Sequence, residues 1–182
     1  MPSNSLPEPW KSFFTEIDAS LEEELALHCL GGFVMTMLYG SNRLTADVDV
    51  LPITSNGESE HLVHLAGQGS KLHKKHKIYL QVVGVVTVPD DYEARLKEIF
   101  EGSFTHLRLF ALDPYDLALS KLERNAPRDR EDFKHLARTI PLDLEILQER
   151  YREELRPYLG NPAREDLTLK LWIETVQEQA NK

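Results

Sequence analysis

Two short motifs in the chain have the residue types and spacing to hold a nucleotide and a metal ion. Fourteen residues separate Gly31-Gly32 from Asp47-Val48-Asp49. Side chains at positions i and i+2 of a strand point to the same face, so Asp47 and Asp49 would place two carboxylates side by side. Two such charges are costly unless a cation lies between them, and Mg²⁺ accepts oxygen ligands while keeping waters and substrate phosphates. The pattern predicts Asp47 and Asp49 as ligands of Mg²⁺ or Mn²⁺.

The glycine pair and the segment before the acidic strand predict a phosphate site. Gly31 and Gly32 follow an apolar run and precede a helical pattern, so backbone N–H groups would be open at a helix N-terminus. Arg43 and Thr45 would add a guanidinium fork and a hydroxyl group to the same phosphates. These four residues are therefore predicted to bind an NTP, with the metal ion bridging its phosphates.

The surrounding pattern predicts a small mixed α/β (α+β) sheet flanked by helices, followed by a helical C-terminal part. An amphipathic helix is expected from Trp10 to Leu21, and strands are expected over 25–30, 47–51, 78–88 (the longest) and 105–112. Helices are expected over 33–39, 57–70 and 89–100, and four more follow a cap at Asp113-Pro114, one of them opening at Pro127. We expect an α/β core over 1–112 with helices over 113–182 packed on it, or one domain over 1–182.

Charged residues of the helical part form a second candidate group. Lys121 and Arg124 lie three residues apart on one helix face, where they could bind a triphosphate or an acceptor backbone. Asp129 and Asp132 begin the next helix, on the side of its apolar stripe. They either stabilise the first turn and pair with Arg128 or Arg130, or contact Lys121 or a substrate group as catalytic residues.

The segment from Gly31 to Val50 (Gly-Gly-Phe-Val-Met-Thr-Met-Leu-Tyr-Gly-Ser-Asn-Arg-Leu-Thr-Ala-Asp-Val-Asp-Val) resembles the nucleotidyltransferase superfamily, which has the polymerase-β-like fold. With Asp116-Leu…Lys121-Leu…Arg128-Asp-Arg-Glu-Asp132, it is similar to the small bacterial branch of AbiEii-type abortive-infection and toxin–antitoxin transferases. The resemblance implies metal-dependent transfer of a nucleoside monophosphate from an NTP to a hydroxyl group of an RNA or protein acceptor. It also implies a cognate partner protein from the same operon.

One position departs from the superfamily pattern. A third carboxylate is expected on a later strand, and Gln81 stands there in the segment 77–83, which contains no acid. Either Asp129 or Asp132 substitutes for it, or the protein is a non-catalytic binding module, antitoxin-like or regulatory, that keeps the fold.

Net charge and cysteine content limit the classes of binding partner and the compartment that the sequence predicts. The formal charge is −9, yet Lys71 to Lys77 contains four lysines and no acid. That stretch is either a solvated surface or a patch that attracts a polyanion. The single cysteine, Cys29, is expected to be a buried small hydrophobe. It allows no intramolecular disulfide, which predicts a cytoplasmic protein. We expect no membrane partner, and the sequence leaves oligomer formation open.

Overall fold

The computed structural model describes residues 5–52 and 57–180. Within them, the chain forms two compact units. The sheet unit contains the described residues up to Gly84 together with Leu96–Leu112, and the helical unit contains Val85–Arg95 and the described residues from Asp113 onward. The segment Val85–Arg95 therefore groups with the helices, although it lies between two strands along the chain.

The sheet unit is built on five strands in the order β3-β2-β1-β5-β4. The strands pair in both directions: β1 with β5 and β2 with β3 are parallel, whereas β1 with β2 and β4 with β5 are antiparallel. The mixed sheet predicted from the sequence is thus confirmed. The strands are β1 (Leu25–Leu30), β2 (Asp47–Val50), β3 (Tyr79–Val82), β4 (Lys97–Ile99) and β5 (Leu107–Ala111).

Four helices of the sheet unit connect or cover these strands. They are α1 (Trp10–Asp18), α2 (Gly31–Tyr39), α3 (Glu58–Ala66) and α4 (Lys71–His76). The apolar stripe of α1 is buried as its spacing predicts, with Phe13 and Phe14 fully inaccessible and Phe14 5.8 Å from Phe33 of α2, ring centre to ring centre. Burying these aromatic rings orders the glycine-led α2 against the rest of the unit.

In β2 and β3, apolar and polar side chains alternate between the two faces of the sheet, as strand geometry requires. Val48, Val50 and Leu80 are buried on the first face, and Asp47, Asp49 and Tyr79 are half-buried on the second. Cys29 is fully buried, as expected for a small hydrophobe, and burial together with the charge of Asp49 raises the pKa of its thiol.

The helical unit has the four α-helices that the sequence predicts. Their bounds are α5 (Pro114–Leu119), α6 (Pro127–Thr139), α7 (Leu144–Arg150) and α8 (Pro162–Ala180), with a π-helical turn at Tyr151–Leu155 and a 3₁₀ turn at Arg156–Tyr158. The predicted cap of α5 is confirmed, since the Asp113 carboxylate accepts the Asp116 N–H at 2.9 Å. In the core of this unit, the rings of Phe133 and Trp172 lie 5.0 Å apart.

Two sequence predictions about the middle of the chain are wrong. The strand expected over 78–88 ends at Val82, because its partner β2 ends at Val50 and Gly84 then leads the chain out of the sheet. The helix expected over 89–100 is replaced by a 3₁₀ turn at Tyr92–Arg95 and by β4, whose residues pair with β5. Within the described part of the chain, no helix combines the length and the apolar character needed to span a bilayer.

Candidate active site

The extended chain that leads into β2 presents its odd-numbered side chains to one side. Arg43, Thr45, Asp47 and Asp49 are all half-buried, whereas Leu44 between the first two is 98% exposed. The period-two alternation of a strand thus begins four residues before β2. As a result, the guanidinium, the hydroxyl and both carboxylates form one row.

This row lies against the glycine pair at the start of α2. Gly31 has φ +70°, a left-handed conformation that glycine adopts readily, and a Cβ atom at this position would overlap the Asp49 carboxylate. A Cβ atom at Gly32 would lie 2.7 Å from Arg43 Nη2 and 3.0 Å from Thr45 Oγ1. The absence of side chains at both glycines therefore allows the row to approach the backbone of α2 closely.

The N-terminus of α2 has the features of a phosphate-binding turn. Leu30 is the N-cap residue, and no side chain caps the helix. The first amides of a helix have no intrahelical acceptor and carry partial positive charge, so an anion can bind them. The structure places Arg43 and Thr45 beside this turn, as the sequence predicts.

Asp47 and Asp49 provide a two-carboxylate set that fits Mg²⁺ or Mn²⁺. The Thr45 hydroxyl donates a hydrogen bond of 2.6 Å to Asp47 Oδ1, which orients that carboxylate. The Asp49 carboxylate lies against Gly31. Among residues 5–52 and 57–180, no cluster of three or more His, Cys, Asp or Glu side chains is arranged to hold a metal ion. Two carboxylates suffice for Mg²⁺ where substrate phosphates and waters complete the coordination.

The neighbouring strand supplies Tyr79 and Gln81 rather than an acid. In the parallel register of β2 and β3, Tyr79 pairs with Asp47 and Gln81 pairs with Asp49. Burial and the negative charges of Asp47 and Asp49 raise the pKa of Tyr79, so its phenol group stays protonated. Our sequence analysis did not single out Tyr79, although its position two residues before Gln81 would have placed it on the same face.

Lys121, Arg124, Asp129 and Asp132, the candidate residues of the helical unit, form two ion pairs within that unit. Lys121 Nζ lies 2.8 Å from Asp132 Oδ2, and both residues are buried. Arg124 contacts both carboxylate oxygens of Asp129, which also accepts the Ala126 N–H at 2.8 Å. Asp129 thus stabilises the first turn of α6, although it pairs with Arg124 rather than Arg128 or Arg130, and Asp132 contacts Lys121.

The environment of Asp129 keeps its carboxylate ionised. Burial alone would raise the pKa of Asp129, but the hydrogen bonds from Arg124 and Ala126 and the nearby cations outweigh burial and lower it. Catalytic roles for these four residues stay predictions of the sequence.

Sequence reasoning missed an ion-pair network in the helical unit. The Arg95 guanidinium binds the fully buried Asp116 through Nε–Oδ2 at 2.9 Å and Glu154 through Nη2–Oε2 at 2.6 Å. Arg150 Nη1 lies 3.1 Å from Asp116 Oδ1. No local pattern signals this network, because its members come from three separate parts of the helical unit.

Comparison with protein families assigns the chain to a family. Residues 11–179 match a family described as "Nucleotidyltransferase of unknown function (DUF6036)". The chain belongs to this family. The match covers nearly the whole chain and supports the nucleotidyltransferase superfamily inferred from the Gly-Gly and Asp-x-Asp motifs. Comparison with curated proteins and with solved structures gives no match.

Proposed function

We propose that this nucleotidyltransferase moves a nucleoside monophosphate from an NTP to a hydroxyl group of an RNA or protein acceptor, using Mg²⁺ or Mn²⁺. The observation that carries the proposal is the contact between the Asp49 carboxylate and Gly31 at the uncapped N-terminus of α2. A carboxylate beside a phosphate-binding turn would repel the phosphates unless a cation neutralised both. Membership of a nucleotidyltransferase family supports this interpretation.

The residues of the sheet unit can position the triphosphate for transfer. In our proposal, the first amides of α2, the Arg43 guanidinium and the Thr45 hydroxyl bind phosphate oxygens. Asp47 and Asp49 would hold Mg²⁺, which neutralises phosphate charge when it is bound. The acceptor hydroxyl oxygen then forms a bond to the α-phosphorus and its proton passes to solvent water, while the bond from that phosphorus to the bridging oxygen breaks and pyrophosphate leaves with the electron pair.

The resemblance to AbiEii-type transferases extends the proposal to a biological setting. Residues 31–50 and 116–132 carry that resemblance. We therefore propose a bacterial toxin–antitoxin or phage-defence role for the protein, with a cognate partner protein from the same operon.

The register of β3 favours one alternative function. Gln81, which pairs with Asp49, cannot take a proton from an acceptor hydroxyl as a carboxylate would. A member of the family that binds an NTP without transferring it would need only the phosphate turn and the two aspartates. The alternative proposal is therefore a binding module, antitoxin-like or regulatory.

Label transfer distinguishes the two proposals. The protein is incubated with each α-³²P-labelled NTP, Mg²⁺ or Mn²⁺, and either cellular RNA or cellular protein, and the acceptor fraction is counted. Transfer that Asp49→Asn abolishes, and that the matched exposed substitution Asp91→Asn leaves intact, supports the transferase. Saturable NTP binding without transfer under either metal supports the binding module, and the absence of NTP binding contradicts both.

A further inference from the structure

We propose that the lysines of α4 and its C-cap, Lys71, Lys74 and Lys77, bind the phosphate backbone of a single-stranded RNA acceptor. The inference rests on the proposed transfer reaction and selects RNA from its two acceptor classes. We call these three residues the lysine surface. It belongs to the sheet unit, on the element that immediately precedes β3.

The sequence of α4 separates its lysines from its buried residues. Lys71 and Lys74 lie three residues apart, so they share the solvent face of the helix, and both are exposed. Leu72 and His76 lie four residues apart on the opposite face, where Leu72 is 9% exposed. Lys77 follows at the C-cap in a left-handed conformation and is exposed as well.

The positive charge of the lysine surface is not neutralised by neighbouring acids. Across the described residues, no ion pair joins Lys71, Lys74 or Lys77 to a carboxylate. The nearby Glu16 is already in contact with Lys75 Nζ at 2.5 Å and with the His76 ring, whose Nε2 lies at 2.8 Å. In a chain of net charge −9, three unneutralised lysines on one short segment create a local field that attracts a polyanion.

A cavity beside the lysine surface offers room for a nucleotide. Its volume is about 760 Å³, and it is lined by Lys71, Lys74, His64, Gln68 and Ser70 together with Glu16. Small-molecule sites commonly have volumes of about 300–1,000 Å³. Among the described residues, Glu16 is the one carboxylate in its lining, and Lys75 and His76 contact it, so the lining as a whole favours an anion.

The helix that carries the lysine surface contacts β3 through two rings in an edge-to-face arrangement. The His73 ring of α4 lies 4.9 Å from the Tyr79 ring, and Tyr79 pairs with Asp47 in the sheet. Lys77 precedes Tyr79 by two residues, and Tyr79 lies one strand spacing, about 4.8 Å, from Asp47, so the C-cap of α4 lies close to the acidic pair. A stacked strand rises about 3.4 Å per nucleotide along its axis, so a strand bound by Lys77 would place its end within a few nucleotides of Asp47.

RNA binding without turnover tests the lysine surface. Asp49→Asn protein is titrated into a 5′-fluorescein single-stranded RNA with a free 3′-hydroxyl, without NTP, and anisotropy is followed from about 50 to about 200 mM KCl. Losing three phosphate contacts should reduce the slope of log K against log salt by about 2. Over that salt range, the parent should therefore lose about 20-fold more affinity than the variant carrying Lys71→Gln, Lys74→Gln and Lys77→Gln.

A charge-matched control removes three lysines from other parts of the chain. The variant Lys97→Gln, Lys134→Gln, Lys170→Gln has the same net charge, and circular dichroism confirms that both variants fold. Equal salt slopes in the two variants, or no RNA binding by the parent, would overturn the inference.

The same variants separate this inference from the proposed function. Transfer to RNA by the wild type with no dependence on the lysine surface overturns the surface alone. RNA binding that depends on the lysine surface, with no label transfer by the wild type, supports the surface and contradicts the transferase.

Discussion

Replacing Gly31 by alanine tests the close approach of Asp49 to the phosphate turn. Alanine in a left-handed conformation costs about 1 kcal/mol relative to glycine. Its Cβ would also overlap the Asp49 carboxylate, and overpacking costs about 1–3 kcal/mol. We therefore expect Gly31→Ala to lower the free energy of unfolding by about 2–4 kcal/mol, which is roughly 4–16 °C in Tm for a chain of this size.

Gly40 provides the matched control for this prediction. It also has a left-handed conformation, with φ +65°, but a Cβ there would meet no atom within 4 Å. Gly40→Ala should therefore cost only the conformational penalty of about 1 kcal/mol. The difference between the two substitutions isolates the overlap with Asp49.

A double-mutant cycle assigns that difference to Asp49. In an Asp49→Ala background, the overlapping carboxylate is gone, so Gly31→Ala should cost about as much as Gly40→Ala. Urea and thermal unfolding, followed by circular dichroism, give the four free energies of the cycle, with a coupling of about 1–3 kcal/mol expected. Gly31→Ala that is no more destabilising than Gly40→Ala, or a coupling near zero, would refute the geometry on which the proposed site depends.

Two further predictions concern the ion-pair network and the third strand. Arg95→Met leaves Asp116 with Arg150 alone and should destabilise the protein by about 3 kcal/mol at pH 8 in thermal unfolding. Arg108→Met, at the more exposed pair with Glu98, should cost much less. Burial raises the pKa of Asp116, and the hydrogen bond from Arg95 lowers it, so Arg95→Met should raise that pKa further. The folded variant then takes up a proton at a higher pH than the folded wild type, and the Arg95→Met penalty should shrink as the pH falls towards 4.5. A penalty that stays constant with pH would contradict this. Gln81→Glu places a carboxylate opposite Asp49 and should raise the rate of label transfer about 100-fold or more. The control Gln148→Glu in α7 should leave the rate unchanged. An unaltered rate in Gln81→Glu would show that this strand position takes no part in proton transfer.

The sequence predicts the glycine–carboxylate site because that site depends on local rules. Strand alternation places Asp47 and Asp49 on one face, and the glycine pair leads directly into a helix. Both effects involve neighbours in the chain, so one sequence is enough to detect them. The buried stripe of α1 and the caps of α5 and α6 follow from equally local patterns.

What the sequence could not predict depends on partners distant in the chain. The β-branched run after Tyr79 favours a long strand, but a strand persists only where another strand pairs with it, and β2 is four residues long. The contact of Arg95 with Asp116 and Glu154 joins residues 21 and 59 positions apart. Such contacts override the helical propensity of residues 89–100.

The embedded segment Val85–Arg95 has a consequence for the architecture of the gene. A stop codon after Leu112 would delete Asp116 and Glu154 while leaving Arg95 in the translated product, so a guanidinium would lose both acids that hold it. Recombination at a single junction therefore could not add or exchange the whole helical unit. A chimera that keeps both units intact must exchange Val85–Arg95 together with everything after Leu112.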